Sequence, residues 1–167
     1  MPGLLTKMFI RKKRVELIIP EVKKEWSIID LGCGDMWLTN HLRGRGYNCL
    51  GADLKSGDVH CSIGSLPFPD KCFDCAILIE VVEHVDPETL KEVERVTRKK
   101  IIVSTHVPNV DWLLKAMIAV GAINQFGTPE KTSYWMKDVP FKSFELKRSS
   151  KYYLIDQFGV FEAKGSR

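Results

Sequence analysis

The segment of the chain best suited to bind a ligand is a glycine turn directly after an apolar strand. The sequence runs Ile28-Ile29-Asp30-Leu31-Gly32-Cys33-Gly34, and a helical pattern begins at Trp37. Glycine adopts positive φ and lets a ligand approach the bare backbone, and free N–H groups at a helix start face polar ligand atoms. Asp53 ends the second predicted strand, where a carboxylate can accept hydrogen bonds from both hydroxyls of a ribose. These residues predict a site for an adenosine-containing cofactor.

Trp37 argues against a dinucleotide at this site. The dinucleotide fingerprint G-x-G-x-x-G needs a third glycine so that helix and strand pack closely, and here that position holds Trp37. An NAD-dependent oxidoreductase is therefore disfavoured. Two glycines alone would also fit an ordinary strand-to-helix turn.

Histidines and glutamates follow two later predicted strands and provide candidate acids, bases and ligands. His84 is our first candidate for a general base and His106 the second, because imidazole titrates near neutral pH. Glu80, Glu83 and His84 are spaced i, i+3 and i+4, which on a helix places them on one face. Such a group could hold Mg²⁺ or a transition metal. A capped, solvated helix start is the interpretation that we favour, and we assign no metal ligand.

The five cysteines predict packing rather than redox or zinc chemistry. Cys72 and Cys75 form a C-x-x-C pair, but it precedes a strand, whereas reactive pairs sit at helix N-termini. Adding His60 and Cys61 gives no common zinc spacing. An odd number of cysteines without a secretion signal indicates a reducing compartment, so we expect a cytoplasmic protein.

Short apolar segments alternate with helical patterns along the chain. The predicted helices cover 5–19, 37–43, 87–97 and 112–122, and Pro20 ends the first of them. The predicted strands are 27–31, 49–53, 59–61, 74–79 and 100–104. One or two antiparallel strands are predicted within 141–163. This alternation predicts an α/β fold: a doubly wound, mostly parallel Rossmann-like sheet of about six to seven strands with helices on both faces and an antiparallel C-terminal end.

Composition places the chain among ordinary globular proteins. Its 167 residues are 44% hydrophobic and 28% charged, with a net charge of +4. No apolar run approaches the roughly 20 residues of a membrane span. We expect one domain: a basic N-terminal helix in 1–24, a cofactor-binding core in 25–109, and a substrate-side helix, lid-like loop and C-terminal strands in 110–167. The mild charge makes nucleic acid a possible but unsupported partner.

Four ordered motifs between Ser27 and Asn109 resemble the class I S-adenosylmethionine-dependent methyltransferases, and within them the type 11 family. The segment 30–34 (DLGCG) resembles motif I, and 66–74 (LPFPDKCFD) resembles the segment before strand 4. The segment 80–85 (EVVEHV) is similar to the family's loop after that strand, and 94–96 (ERV) to its next helix.

The resemblance implies S-adenosylmethionine as the cofactor and a role for each matched residue. Asp30 orients the turn and reaches the ammonium, while Gly32, Cys33 and Gly34 follow the methionine moiety. The resemblance also places Asp53 at the ribose and Leu54 on the adenine face. It places Ile63 and Gly64 at the adenine edge, and Glu80 at the mouth of the site. The chain departs from the family at Met36, where a third glycine is usual and a bulkier loop is expected, and at Ser62, where an acidic residue is common.

The resulting hypothesis is transfer of a methyl group to a small-molecule oxygen or nitrogen acceptor by in-line displacement. Two alternatives stay open. One is a non-catalytic S-adenosylmethionine-binding subunit of a partner complex. The other is a metal-assisted O-methyltransferase acting on RNA or a catechol-like acceptor, since the 80–84 pattern also resembles metal sites of such enzymes. The segment 127–135, rich in Gly, Pro and aromatic residues, predicts a lid or substrate wall.

Overall fold

A seven-stranded sheet forms the centre of the protein. The computed structural model describes residues 4–107, 135–152 and 156–165. The strands are β1 (Ser27–Leu31), β2 (Asn48–Asp53), β3 (Val59–His60), β4 (Phe73–Ile79), β5 (Thr97–His106), β6 (Phe144–Tyr152) and β7 (Asp156–Ala163). They are arranged in the order β3-β2-β1-β4-β5-β7-β6, with β1 to β5 parallel. The predicted doubly wound α/β sheet is confirmed.

Three α-helices accompany the sheet in the described part of the chain: α1 (Leu4–Ile18), α2 (Trp37–Arg43) and α3 (Leu90–Val96). A 3₁₀ turn over Ile19–Glu21 follows α1, because Pro20 has no N–H with which to continue the α-helix. The predicted helix 87–97 begins as a 3₁₀ turn at Pro87–Thr89 and becomes α-helical at Leu90. The predicted helix 112–122 and all but the last residue of the segment 127–135 lie outside the described residues.

The two faces of the sheet carry separate cores. Successive strand residues point to opposite faces, so Ile28 belongs to one core and Ile29 to the other. On the first face the sheet packs against α1 and α2, and on the second against α3. The buried helix residues are Ile18, Leu38 and Leu42 on the first face, and Leu90, Val93 and Val96 on the second. The prediction of helices on both faces is therefore confirmed.

The centre of the sheet contains the position where strand order reverses. After β1 the chain continues to β2 on one side, whereas β4 lies on the other side of β1. In open α/β sheets, ligands bind in the crevice beyond the carboxyl ends of the strands at such a point. The glycine turn after β1 and the loop after β4 both lie at this edge, which we call the carboxyl edge.

The C-terminal strands close the sheet in antiparallel fashion. β7 pairs with β5 on one side and β6 on the other, with Ile102 opposite Val160 and His106 opposite Asp156. The sequence predicted the antiparallel arrangement but left its register open. No helix in the described ranges is long and apolar enough to cross a membrane.

Candidate cofactor cleft at the carboxyl edge

The glycine turn after β1 is fixed by its backbone. The Gly32 N–H donates to the Ala52 carbonyl at 2.7 Å, which ties the turn to the end of β2. Gly32 has φ +72°, and a Cβ there would lie 2.5 Å from Cγ2 of Val81. Both the conformation and the close approach of the loop after β4 therefore require glycine at this position.

A cleft of about 500 Å³ opens beside this turn. The loops after β1, β2 and β4 and the segment after β3 contribute its walls. The lining residues are Gly32, Asp53, Leu54, Lys55, Cys61, Ser62, Ile63, Gly64, Glu80, Val81, His84, Val85, Asp86 and Thr89. Of the residues predicted from the sequence, Asp30, Cys33 and Gly34 do not line this cleft.

Asp53 is held in place by the backbone. Its Oδ1 accepts a hydrogen bond from the Lys55 N–H at 2.9 Å and its Oδ2 one from the Gly34 N–H at 3.3 Å. An ionised carboxylate has about four acceptor positions. Asp53 can therefore be oriented by these two donors and still accept hydrogen bonds from a ligand in the cleft.

Asp30 lies beneath the turn rather than on the cleft surface. It is only 2% exposed, and Oδ2 accepts a hydrogen bond from the Thr39 hydroxyl at 2.7 Å. Burial raises the pKa of Asp30 to about 6, although the bond from Thr39 acts in the opposite direction. Sequence reasoning alone did not find this pairing with α2.

Met36 takes the backbone conformation that the expected glycine would have. Its φ is +58°, in the left-handed region. Its methyl carbon lies 3.2 Å from the position a Cβ on Gly51 would occupy, so the side chain points over β2. Met36 is therefore not among the residues that line the cleft.

Glu80 sits at the centre of an ion-pair network at the carboxyl edge. It follows β4 with φ +56°. Its Oε1 pairs with Arg14 of α1 at 2.7 Å, and its Oε2 pairs with Nε2 of His106 at 2.9 Å. The other ring nitrogen of His106, Nδ1, contacts Asp156 Oδ1 at 2.7 Å. Burial opposes ionisation of Glu80, but the bond from His106 and the charge of Arg14 outweigh it and lower its pKa.

His106 is bonded on both ring nitrogens in this network. Burial alone would lower its pKa, but the hydrogen bonds to Asp156 and Glu80 raise the pKa to about 10. It does not line the cleft. His106 as a second candidate base stays a prediction, and these contacts favour His84 over it.

The Glu80, Glu83 and His84 pattern does not form a solvated helix start. The 3₁₀ turn covers only Val82–His84, and Glu83 is 1% exposed, with no hydrogen-bond partner for either carboxylate oxygen in the described ranges. Burial and the charge of Glu80 raise the pKa of Glu83 to about 8. His84 lines the cleft, whereas Glu83 points into the core, so the shared helix face expected from the spacing is wrong.

A different trio has metal-like geometry. Glu80, His106 and Asp156 each offer a ligand atom, and these atoms all lie within 4.8 Å of one another. The protons of His106 and the charge of Arg14 already neutralise the two carboxylates. A metal ion here would have to displace the His106 protons and the Arg14 side chain. Hydrogen bonds and ion pairs therefore explain why these three side chains lie so close together.

The cysteines are buried or half-buried thiols. Cys75 is fully buried, and burial raises its pKa and that of Cys72. Redox chemistry needs a lowered thiol pKa. These positions agree with the packing interpretation.

Comparison with known proteins shows what this architecture is similar to. The methyltransferase-domain family, type 11, matches residues 29–103. Those residues are therefore similar to a methyltransferase domain. The resemblance to class I, type 11 methyltransferases is confirmed, and the matched segment includes the glycine turn and the loop after β4.

A curated relative is an uncharacterized protein of Methanocaldococcus jannaschii, 29% identical over 146 residues. The match covers 81% of this chain but only 62% of the relative.

Solved structures share the fold of this chain. A Pyrococcus horikoshii protein is 20% identical, with a TM-score of 0.69 over 92% of this chain and 91% of that one. Magnesium protoporphyrin IX methyltransferase from Synechocystis was solved with S-adenosylhomocysteine. It is 15% identical, with a TM-score of 0.63 over 95% of this chain and 84% of that one. A methyltransferase from Haloferax volcanii was solved with an activator protein. It is 12% identical, with a TM-score of 0.64 over 87% of this chain and 85% of that one.

Proposed function

We propose that this chain binds S-adenosylmethionine in the cleft at the carboxyl edge and transfers its methyl group to a small-molecule oxygen or nitrogen acceptor. The observation that carries the proposal is the position of Asp53, whose oriented carboxylate lies in the same cleft as the turn around Gly32. The methyltransferase-domain family supports this cofactor, and so does the S-adenosylhomocysteine found in the Synechocystis neighbour.

The cleft residues fit the parts of an adenosine. Asp53 offers acceptors to two adjacent ribose hydroxyls. Leu54 is 70% exposed, so a flat ring lying on it would remove apolar surface from water. Ile63 and Gly64 line the same cleft, with Gly64 adding no side chain at the adenine edge.

The methionine end would lie toward Gly32 and Glu80. The carboxylate of Glu80, held in place by Arg14 and His106, lines this end of the cleft and offers a hydrogen-bond acceptor to the cofactor. Asp30 lies beneath the turn and outside the cleft, so it would act on the ammonium group through water or through the position of the turn.

The cofactor supplies a methyl group already activated on a sulfonium, so the main task of the chain is alignment of the acceptor. His84 lines the cleft and is the side chain we assign as general base. It would take the proton from an acceptor hydroxyl or ammonium as the methyl group is transferred.

The alternatives receive less support. The Haloferax neighbour was solved with an activator, which keeps a partner-dependent subunit as the second candidate. The bulky side chain of Met36 lies over β2 and does not line the cleft, so it gives that candidate no support. A metal held by Glu80, Glu83 and His84 is disfavoured because Glu83 faces the core.

Calorimetric titration with S-adenosylmethionine, S-adenosylhomocysteine and NAD tests the proposal. We expect binding of the two sulfur compounds and not of NAD. Asp53→Ala should weaken that binding about 10- to 100-fold, because a buried hydroxyl pair loses a charged acceptor. Asp138→Ala is the control, since Asp138 is exposed and outside the cleft. A folded protein that binds neither sulfur compound would refute the proposal.

Acceptor screening separates the enzyme from the subunit. His84→Gln should retain cofactor binding while lowering turnover about 10²- to 10⁴-fold, the usual contribution of a general base. Cofactor binding without turnover on hydroxyl, amine and RNA acceptors, with or without Mg²⁺, would favour the partner-dependent subunit.

A further inference from the structure

The basic residues of α1 divide into two sets with different surroundings. Two arginines pair with acids that follow the strands at the carboxyl edge: Arg11 with Asp35 and Arg14 with Glu80. Lys12 is exposed, and Lys13 is half-buried, with a 3.5 Å contact to Glu16. The arginines therefore fasten α1 to the carboxyl edge, and the lysines remain available at the surface.

The same helix exposes two large apolar side chains. Met8 is 58% exposed and Phe9 is 63% exposed. In the described ranges the other exposed large apolar residues are Leu54, in the cleft, and Trp135, whose ring lies 4.6 Å from the Lys151 ammonium. Exposed apolar side chains grouped with cations typically mark an interaction surface.

A groove of about 490 Å³ runs between α1 and α2 below this apolar pair. Met8 and Trp37 contribute apolar walls. The charged side chains in the groove are three cations, from Arg11, Lys12 and Arg45, and one carboxylate, from Glu16. The mixture suits a ligand that has an anionic head and an apolar tail.

We propose that the outer face of α1, consisting of Met8, Phe9, Lys12 and Lys13, docks on an anionic lipid surface. Lysines beside lipid phosphates gain electrostatic energy, and apolar side chains enter the interface between headgroups and acyl chains. The groove then receives a lipid headgroup. A nucleic acid would satisfy the lysines but would leave Met8 and Phe9 exposed to water, so the lipid surface is the better match.

Docking through α1 would bring the carboxyl edge close to the lipid. Arg14 of α1 is bonded to Glu80, which lines the cofactor cleft. An acceptor embedded in or bound to the membrane could then reach the cleft directly. This last consequence rests on the proposed function, whereas docking itself does not.

Vesicle co-sedimentation with the intact chain tests the docking. We expect binding to phosphatidylcholine vesicles containing phosphatidylglycerol, and little binding to pure phosphatidylcholine. Lys12→Gln with Lys13→Gln should weaken it about 25-fold, at about fivefold for each cation near an anionic surface. Lys23→Gln with Lys24→Gln removes the same charge from another adjacent, exposed pair and should weaken it less than fivefold.

The apolar pair gives the deciding measurement. Met8→Ala with Phe9→Ala should weaken vesicle binding about tenfold or more while leaving the far-ultraviolet circular dichroism unchanged. Equal binding to neutral vesicles, equal weakening by the Lys23 and Lys24 changes, or no effect of the apolar changes would each overturn the proposal. So would displacement from vesicles by polyuridylic acid or inorganic phosphate at moderate ionic strength.

Cofactor titration of the same preparations distinguishes the two hypotheses. If S-adenosylmethionine binds and the vesicles do not, only the docking proposal fails. If the vesicles bind and the cofactor does not, only the proposed function fails.

Discussion

Replacing Asp30 with asparagine should stabilise the fold at neutral pH. The carboxyl is 2% exposed, and burial raises its pKa from 3.8 to about 6. That rise corresponds to about 3 kcal/mol by which folding disfavours the ionised form. Asparagine keeps an oxygen that can accept the Thr39 hydroxyl bond. The variant therefore removes the charge penalty while retaining the hydrogen bond.

The sign of the pH dependence follows from the proton balance. Below 3.8 the carboxyl is protonated in both the folded and the unfolded chain, so it adds no penalty. Between 3.8 and about 6 only the folded chain holds the proton, so its contribution to stability falls as pH rises. Above about 6 the full penalty is present.

Urea unfolding of wild type and Asp30→Asn measures this penalty. At about pH 4 we expect the two free energies of unfolding to agree within about 0.5 kcal/mol, and at about pH 8 we expect the variant to be more stable by about 2–3 kcal/mol. Asp138→Asn, at an exposed aspartate, should change either value by less than about 0.5 kcal/mol. A variant less stable than wild type at the higher pH would refute the reasoning, because the carboxylate would then be a net stabiliser.

Three further substitutions test individual contacts. Gly32→Ala should destabilise the fold by about 2–4 kcal/mol in thermal unfolding, because the left-handed φ and the contact with Val81 both oppose a Cβ. Adding Val81→Ala in the same chain should recover part of that stability. If no stability is recovered, the left-handed φ alone causes the loss. Glu83→Gln should flatten the loss of stability that wild type shows as pH rises from 4.5 to about 8, since folded Glu83 keeps its proton over that range; an unchanged pH profile would contradict the raised pKa. Arg14→Gln should cost about 1–3 kcal/mol by leaving Glu80 without its α1 partner, and a melting temperature equal to that of wild type would show that His106 suffices.

Elements with strong local patterns were predictable from the sequence. The strand at Ser27–Leu31 and the helix at Trp37–Arg43 have the predicted bounds. Each is a short run flanked by residues that end it, so local interactions decide where it starts and stops. The parallel sheet followed from the alternation of strands and helices, since parallel strands need a crossover connection.

Contacts between distant segments were not predictable in the same way. His106 meets Asp156 because β5 and β7 pair in one antiparallel register. A shift of that register by one residue would turn Asp156 to the other face of the sheet. The alternating C-terminal sequence is compatible with either register. Arg14 reaches Glu80 only because α1 packs at the carboxyl edge.

The failed interpretation of Glu83 has the same origin. The i, i+3, i+4 spacing places three side chains together only on a continuous helix. Glu80 instead has a left-handed backbone, and the following helical segment is a three-residue 3₁₀ turn. The loop therefore sends Glu80 and His84 toward the cleft and Glu83 into the core, a division that spacing alone does not reveal.

Asp30 and Glu83 lower the stability of the fold near the carboxyl edge. Selection for packing alone would not place carboxyl groups at these buried positions. Two buried carboxyls with raised pKa values lower the stability of the free protein at neutral pH. Amides in both places would remove that charge penalty. A cation held in the neighbouring cleft would favour the ionised form of each carboxyl and recover part of what folding loses. Strain of this kind typically collects at functional sites, so the placement of these acids next to the cleft agrees with a functional role for this edge of the sheet.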